Sequence, residues 1–386
     1  MAMEITGPLV LTSPAHQSAI PARGEKGPRR TLTQPVFEAA TQQRREVPYI
    51  TSNSVRGRFR RLAAQRVFNV FEARGETLSR DAFLVVSRGS IGRGDINVHG
   101  NANAIVESSR HVFAGLFGGG PAMLHSRFSV AQLLPLIQWT RDVLPPRLQR
   151  AVLPESAYVS EREQADGSRK QVVGLTATMM WTARDPLLDG MGANIVKDYA
   201  GTLADWLATM EGESAAHKAA AAAKKAPKKP KVAGDEEGDA EPEAEELGAR
   251  SALKNFGEIR VLPPGLPLHF NVSTGASTSL AQDGLLLLTI VDWCALNSLG
   301  GNAARGFGRF NALGLEFTAD GETYVPLFSA RTSDSRYVLN MDAPEIRRRV
   351  EAAETALSAL TAASIESAFG IAGGKASAKE LEDVEA

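Results

Sequence analysis

The chain has 386 residues, 43% of them hydrophobic, and a formal net charge of -1; that is enough apolar material for one large globular unit or two ordinary ones. Its single cysteine, Cys294, lies in an apolar segment, which excludes a disulfide framework or a cysteine-based metal site and makes a reducing cytoplasm the expected compartment. No stretch is long and apolar enough to cross a membrane, and the opening MAMEITGPLVL lacks the charged start and cleavage pattern of a signal peptide, so neither membrane insertion nor secretion is expected.

The near-zero net charge conceals an asymmetry. Residues 1–80 carry 13 Lys or Arg against 6 Glu, a local net of +7, which suits a polyanionic partner. Ile5–Leu11 reads as a first strand, and residues 13–46, rich in Pro, Gly, Arg and Gln without periodicity, as a long loop. PYITSNSVRGRFRR (48–61) then feeds a basic helix over about Ser54–Ala73. Ser52, Asn53 and Ser54 are candidate N-caps, which would leave amides near Val55–Gly57 pointing outward, where they favour a phosphate. Arginines follow at 56, 58, 60 and 61. Arg56 and Arg60 share one edge beside an apolar stripe of Val55, Phe59, Leu62, Ala63 and Val70, while Arg66 falls within that stripe and is expected to snorkel or pair. Taken alone, such a helix is equally well a solvated basic face.

Arg80–Arg88, with DAFLVVS at its centre, reads as a strand. Residues 89–103 read as turns, and HVFAGLFGGGPAMLHSRFSV (111–130) as a short helix, a glycine turn at Gly118–Gly120 and another strand. Further on, Asp166-Gly167 marks a hairpin turn, VVGLTATMMWTARDP a strand, and 187–207 a helix. Residues 211–249 hold six lysines between Lys218 and Lys231, then eight acidic residues between Asp235 and Glu246; such a block cannot bury enough apolar surface to order itself and reads as a disordered, solvated linker. LPLHFNVST is a strand, Leu280–Leu299 a buried helix, FNALGLEF a strand and Ile346–Leu360 an amphipathic helix before a loose tail. The pattern is α+β.

Glycine-rich GGNAARGFGR (300–309) lacks the Gly-Lys-Ser/Thr ending of a nucleotide-binding loop and follows a helix where a dinucleotide fingerprint follows a strand. It remains either a tight turn or a loop whose Arg305 and Arg309, flanking Phe307, suit RNA through phosphate pairing and base stacking. The six histidines show no metal-ligand spacing, and neither a Gly-x-Ser-x-Gly elbow nor a distinctive carboxylate pair is present. No cofactor, no metal and no catalytic residue are expected.

Three passages together resemble the RAMP superfamily, specifically the Cas7-like backbone subunit of class 1 CRISPR-Cas effector complexes, and most closely its type IV version: ITGPLVLTSPAH as first strand and ligand loop, PYITSNSVRGRFRR as the helix start, and GGNAARGFGRF as the glycine loop. LFGGGP (116–121) is similar to the family's Phe-Gly motif. The resemblance implies a ferredoxin-like (RRM-like) palm formed by 1–151 and 259–340, an inserted thumb over 152–258 that includes the charged linker, and a C-terminal helix and tail from 341. It implies an antiviral ribonucleoprotein in which several copies line up side by side along a guide RNA that pairs with a target nucleic acid. Other expected partners are a Cas5-like cap subunit, a large subunit, a guide-processing enzyme in some subtypes, and a helicase. Carried over by motif, the RNA-binding residues are Ser13 and His16, then Ser52, Asn53, Ser54, Arg56, Arg58, Arg60 and Arg61, then Arg305, Phe307 and Arg309. Met180 and Trp181 are expected either to wedge at a displaced base or to contact a neighbouring subunit. Type III relatives cut RNA with an aspartate between the first strand and the basic helix, and residues 13–53 contain none; Glu25, Glu38 and Glu46 are the only carboxylates there. A non-catalytic scaffold is therefore expected, with an endoribonuclease using Glu25 or Glu38 as the alternative.

Overall fold

A computed structural model describes residues 2–19, 30–39, 41–90, 102–120, 124–163, 169–181, 257–321, 324–332 and 336–371. The expected helix at 187–207, the charged linker at 211–249, the Asp166-Gly167 turn and the loose tail lie outside them. The chain divides into two units, one made of Met1–Gly24, Arg30–Ala177 and Arg260–Ala386, the other of Glu25–Arg29 and Thr178–Ile259. The first contains the residues discussed below except Glu25 and those that fall within 178–259, Met180 and Trp181 among them.

Alternation of apolar and polar residues makes β1 (Met3–Leu11) a strand with two different faces: Met3, Ile5, Leu9 and Leu11 are buried, whereas Glu4 and Val10 are not. Then come a hairpin of β2 (Thr33–Glu38) and β3 (Gln43–Pro48), the basic helix (Ser52–Arg74), helices at Arg80–Arg88, Ala102–Arg110 and Ala114–Phe117, and β4 (Phe128–Val130). Next are the paired strands β5 (Val159–Glu163) and β6 (Arg169–Val173), and the pair β7 (Ala177–Trp181) and β8 (Gly257–Val261). The last part holds β9 (Pro267–Thr274), the buried helix Leu280–Leu296, β10 (Phe310–Asn311), β11 (Glu316–Ala319), β12 (Val325–Pro326), the hairpin β13 (Phe328–Arg331) and β14 (Tyr337–Leu339), and helices Pro344–Ser358 and Ala362–Phe369. In the main sheet the strands run β12-β11-β1-β9-β4, all antiparallel, with β10 also on β1. The architecture is α+β.

One face of this sheet is covered by the basic helix and the buried helix. An aromatic cluster joins them: Trp293 lies 5.4 Å from Phe59, 5.2 Å from Phe270 and 4.7 Å from Phe310, ring centroid to ring centroid. The buried helix starts in a capping box, Ser279 accepting from the Gln282 amide and Gln282 from that of Ser279. Helix Pro344–Ser358 packs tightly on it. A Cβ on Gly284 would stand 1.8 Å from the carbonyl oxygen of Arg349, and Arg349 itself is fully buried, bonded to Asp283 at 3.4 Å and to Glu345. Burial raises the Asp283 carboxyl's pKa.

Three expectations change. Arg80–Arg88 is a helix, capped by Ser79 at one end and by left-handed Gly89 at the other, with Ala82, Val85 and Val86 on its buried side. The expected loop at 13–46 contains the β2–β3 hairpin. Ala362–Phe369 forms an additional helix.

Two histidines, half-buried His111 and buried His269, have a buried Nε2 with no hydrogen-bond partner among the described residues. His111 accepts from the amides of Phe113 and Ala114 through Nδ1, and His269 lies in β9 near Glu4 and Arg147. Burial pushes both pKa values down to about 4. A base whose folded pKa is depressed contributes stability that is complete above its unfolded pKa, about 6.5, and is lost as the pH falls toward 4. The urea midpoint of the wild type is accordingly expected to fall more steeply between pH 6.5 and 4 than that of the His111→Asn, His269→Asn double variant. Parallel curves contradict this.

Candidate nucleic-acid interface

The basic helix begins earlier than its serines imply. Thr51 is the N-cap, its hydroxyl accepting from the Ser54 amide at 3.3 Å, and the Ser52 amide donates to the Gln132 side chain at 3.0 Å. Ser52, Asn53 and Ser54 therefore form the first turn instead of capping it. The amides of Val55–Gly57 fall inside the helix, so the expected outward-facing amide nest there is withdrawn.

The helix's arginines divide into distinct tasks. Arg60 donates to four backbone carbonyls, Val85 (2.7 Å), Val86 (3.1 Å), Phe117 (3.1 Å) and Gly118 (3.0 Å), and so ties together the ends of helices Arg80–Arg88 and Ala114–Phe117. Burial lowers its pKa to about 10. Arg60 is thus a structural clasp, which corrects its assignment as a phosphate ligand. Arg66 pairs with Asp292, with Nη2 to Oδ1 at 2.7 Å. Arg58 reaches the other way, to the Ser298 hydroxyl (2.6 Å) and the Gly300 carbonyl (2.8 Å), and its pKa is lowered by burial and by the nearby Arg61 charge. Arg56 donates to Ser126 at 2.5 Å and lies over the Phe128 ring. Arg61 is exposed. A guanidinium carries five N–H donors, so Arg56 and Arg58, both half-buried, are positioned by their protein bonds with donors to spare.

Arg58 lands on the glycine loop, and the N-terminal loop arrives there as well. The Ser13 hydroxyl donates to the Gly306 carbonyl and accepts from the Arg309 amide, both at 2.8 Å. Backbone bonds reinforce the join: Thr12 N to Arg309 O (2.8 Å), Gly308 N to Pro14 O (2.7 Å) and Gly301 N to His16 O (2.7 Å). The glycines are required by conformation and by space. Gly300 (φ 67°) and Gly308 (φ 76°) are left-handed, and a Cβ would meet the His16 and Leu299 carbonyl oxygens at 2.2 and 1.9 Å. Arg305, in a short turn of helix at Ala303–Arg305, and Arg309 are exposed on this loop.

Two motif-matched residues serve the scaffold. His16 is 2% exposed, with Nδ1 bonded to the Arg260 carbonyl and Nε2 to the Ser18 hydroxyl, both at 2.7 Å. Phe307 is 9% exposed and offers little face for stacking. Among the expected carboxylates, Glu38 is buried and bonded to Thr41 (2.7 Å) and Arg45 (3.3 Å), and Glu46 pairs with Arg44 at 2.9 Å; Glu25 lies outside the described residues. Met180 and Trp181 are in β7, their side chains outside the description. Gln132 and Ser126, which position the basic helix from far along the chain, and Ser298, just before the glycine loop, are neutral residues and gave no signal. No cluster of His, Cys, Asp and Glu suited to a metal occurs among the described residues, and no described helix is long and apolar enough to cross a membrane. The arrangement is a cationic surface, with Arg58, Arg61, Arg305 and Arg309 around a backbone-rich loop, whose chemistry suits an anion.

No family model and no curated protein matches the chain. Among solved structures it is similar to a chain titled "Type IV-B CRISPR Complex", with 14% identity and a TM-score of 0.42 over 86% of this chain and 96% of that one.

Removing each arginine should separate clasp from surface. Arg60→Ala leaves four carbonyls without their donor and is expected to destabilise by roughly 2–4 kcal/mol, whereas Arg61→Ala should change stability by less than about 0.5 kcal/mol. Equal melting temperatures for the two variants would remove the distinction.

Proposed function

We propose that the chain is a non-catalytic subunit that binds a CRISPR guide RNA and lines up in several copies along it, forming the backbone of a type IV effector complex. The observation that carries this reading is convergence. The three passages that resemble the family lie far apart in sequence, yet Ser13 bridges Gly306 and Arg309 while Arg58 holds Ser298 and Gly300. The order β1, helix, β4, β9, helix, β11, with β11-β1-β9-β4 in space, supports a ferredoxin-like palm, with the thumb in 152–258. Arginines directed at phosphates give affinity without sequence preference, as a subunit that accepts any guide requires, and base pairing then supplies specificity. The absence of Asp from residues 13–53 and the internal engagement of Glu38 support a scaffold over a nuclease. Cas5-like and large subunits, a guide-processing enzyme and a helicase complete the assembly in this reading.

The test is to purify the full chain with nuclease treatment, sequence any retained RNA and record particle mass. The expected result is protected RNA of regular length in particles whose masses step by 41.2 kDa plus the RNA each copy covers. Arg61→Glu with Arg309→Glu, both at exposed positions, should abolish retention while the fold survives. A nucleic-acid-free monomer that does not bind added guide would overturn the proposal.

A further inference from the structure

The β2–β3 hairpin has one face that the protein uses and one that it does not. On the used face Val36, Glu38 and Val47 are buried. Arg45 lies over the Trp139 ring at 4.9 Å, and the Ala39 amide donates to Asp142 at 3.1 Å, so the tip is fastened to the segment at Gln138–Val143. The other face presents Thr33, Pro35, Phe37, Arg44 and Glu46, all exposed. Phe37 is 69% exposed, the most exposed large hydrophobic among the described residues, and Arg44 stands directly across from it in the ladder.

Three features narrow the occupant of that face. A single ring among polar neighbours is far smaller than the several hundred Å² of continuous apolar surface expected of a protein-docking patch, but it matches one nucleobase. Its cross-strand neighbour is a cation, held only by an exposed pair with Glu46, and such pairs contribute little and exchange readily for phosphate. The hairpin root adjoins the cationic surface: Tyr49 N bonds Leu32 O, Leu32 N bonds Gln17 O, and the neighbouring His16 O accepts from Gly301 in the glycine loop. Phe37 lies four residues along β2 from its root residue Thr33, about 14 Å at strand rise.

We propose that this hairpin is a base-stacking finger: Phe37 takes the face of an unpaired nucleobase, and Arg44 the adjoining phosphate, of the strand whose backbone lies on Arg58 and the glycine loop. The inference rests on the RNA-binding reading above. Binding to a single-stranded RNA short enough to hold one copy of the full chain tests it. Stacking on one aromatic ring predicts that Phe37→Ala binds about 5- to 150-fold more weakly, while Phe37→Trp keeps wild-type affinity. With 4-thiouridine in the RNA, ultraviolet crosslinks should map to the tryptic peptide Thr31–Arg44. If wild type binds but Phe37→Ala binds equally well and that peptide carries no crosslink, the finger is overturned and the RNA reading stands. If Phe37→Ala alters only self-association, the face belongs to a second copy of the chain and the finger is again overturned. Wild type that binds no RNA overturns the RNA reading itself, and the finger with it.

Discussion

The packing of Trp293 against Phe59, Phe270 and Phe310 is the constraint on which the site depends. Phe59 sits between Arg58 and Arg60 in the basic helix, and Phe310 follows Arg309 at the end of the glycine loop. Each edge-on or offset aromatic pair adds roughly 0.5–1.5 kcal/mol beyond the area it buries. More importantly, a close-packed cluster has few alternative arrangements. Fixing Phe59 fixes the angular position of Arg58 on its helix, and fixing Phe310 fixes where the glycine loop ends. Asn297, left-handed at φ 48°, closes the circuit by accepting from the Phe310 amide at 2.6 Å. Arg58 and Arg309 are therefore held by core residues adjacent to them in sequence.

The same helix shows why positive charge is a poor guide to its own use. Arg60 and Arg56 lie one turn apart on a common edge, yet one is a carbonyl clasp and the other meets a serine at the surface. The difference comes from what packs above them. Helices Arg80–Arg88 and Ala114–Phe117 both direct carbonyls of their last turn at Arg60, and a charge-assisted donor there joins the two helix ends, Val85 O accepting from the Gly89 amide as well.

Much of this was legible in the sequence, and the exceptions have physical causes. β1, β9 and the buried helix were readable as apolar runs of the right length, and the basic helix from its stripe through Val55, Phe59 and Ala63. Arg66 was readable as a pairing residue because a charge inside an apolar stripe must find a partner. Arg80–Arg88 misleads because Phe83–Val86 is a β-prone run, although Ser79 and Gly89 mark helix ends and outweigh it. The hairpin at 33–48 has one exposed face, so its alternation is masked by Pro, Gln and Arg. In the site, what the sequence did not show is how Arg60, His16 and Phe307 are engaged within the protein. His16 and Phe307 keep the loops in shape from within, and burial of a polar or aromatic side chain at a loop junction has no local signature.

The salt dependence of RNA binding tests the central claim most directly, because each phosphate neutralised on a single strand adds about 0.7 to the slope of log K against log salt. The account predicts that Arg58→Gln with Arg309→Gln lowers that slope by roughly 1.4 relative to the wild type. An unchanged slope with intact binding would place the phosphates elsewhere and contradict it.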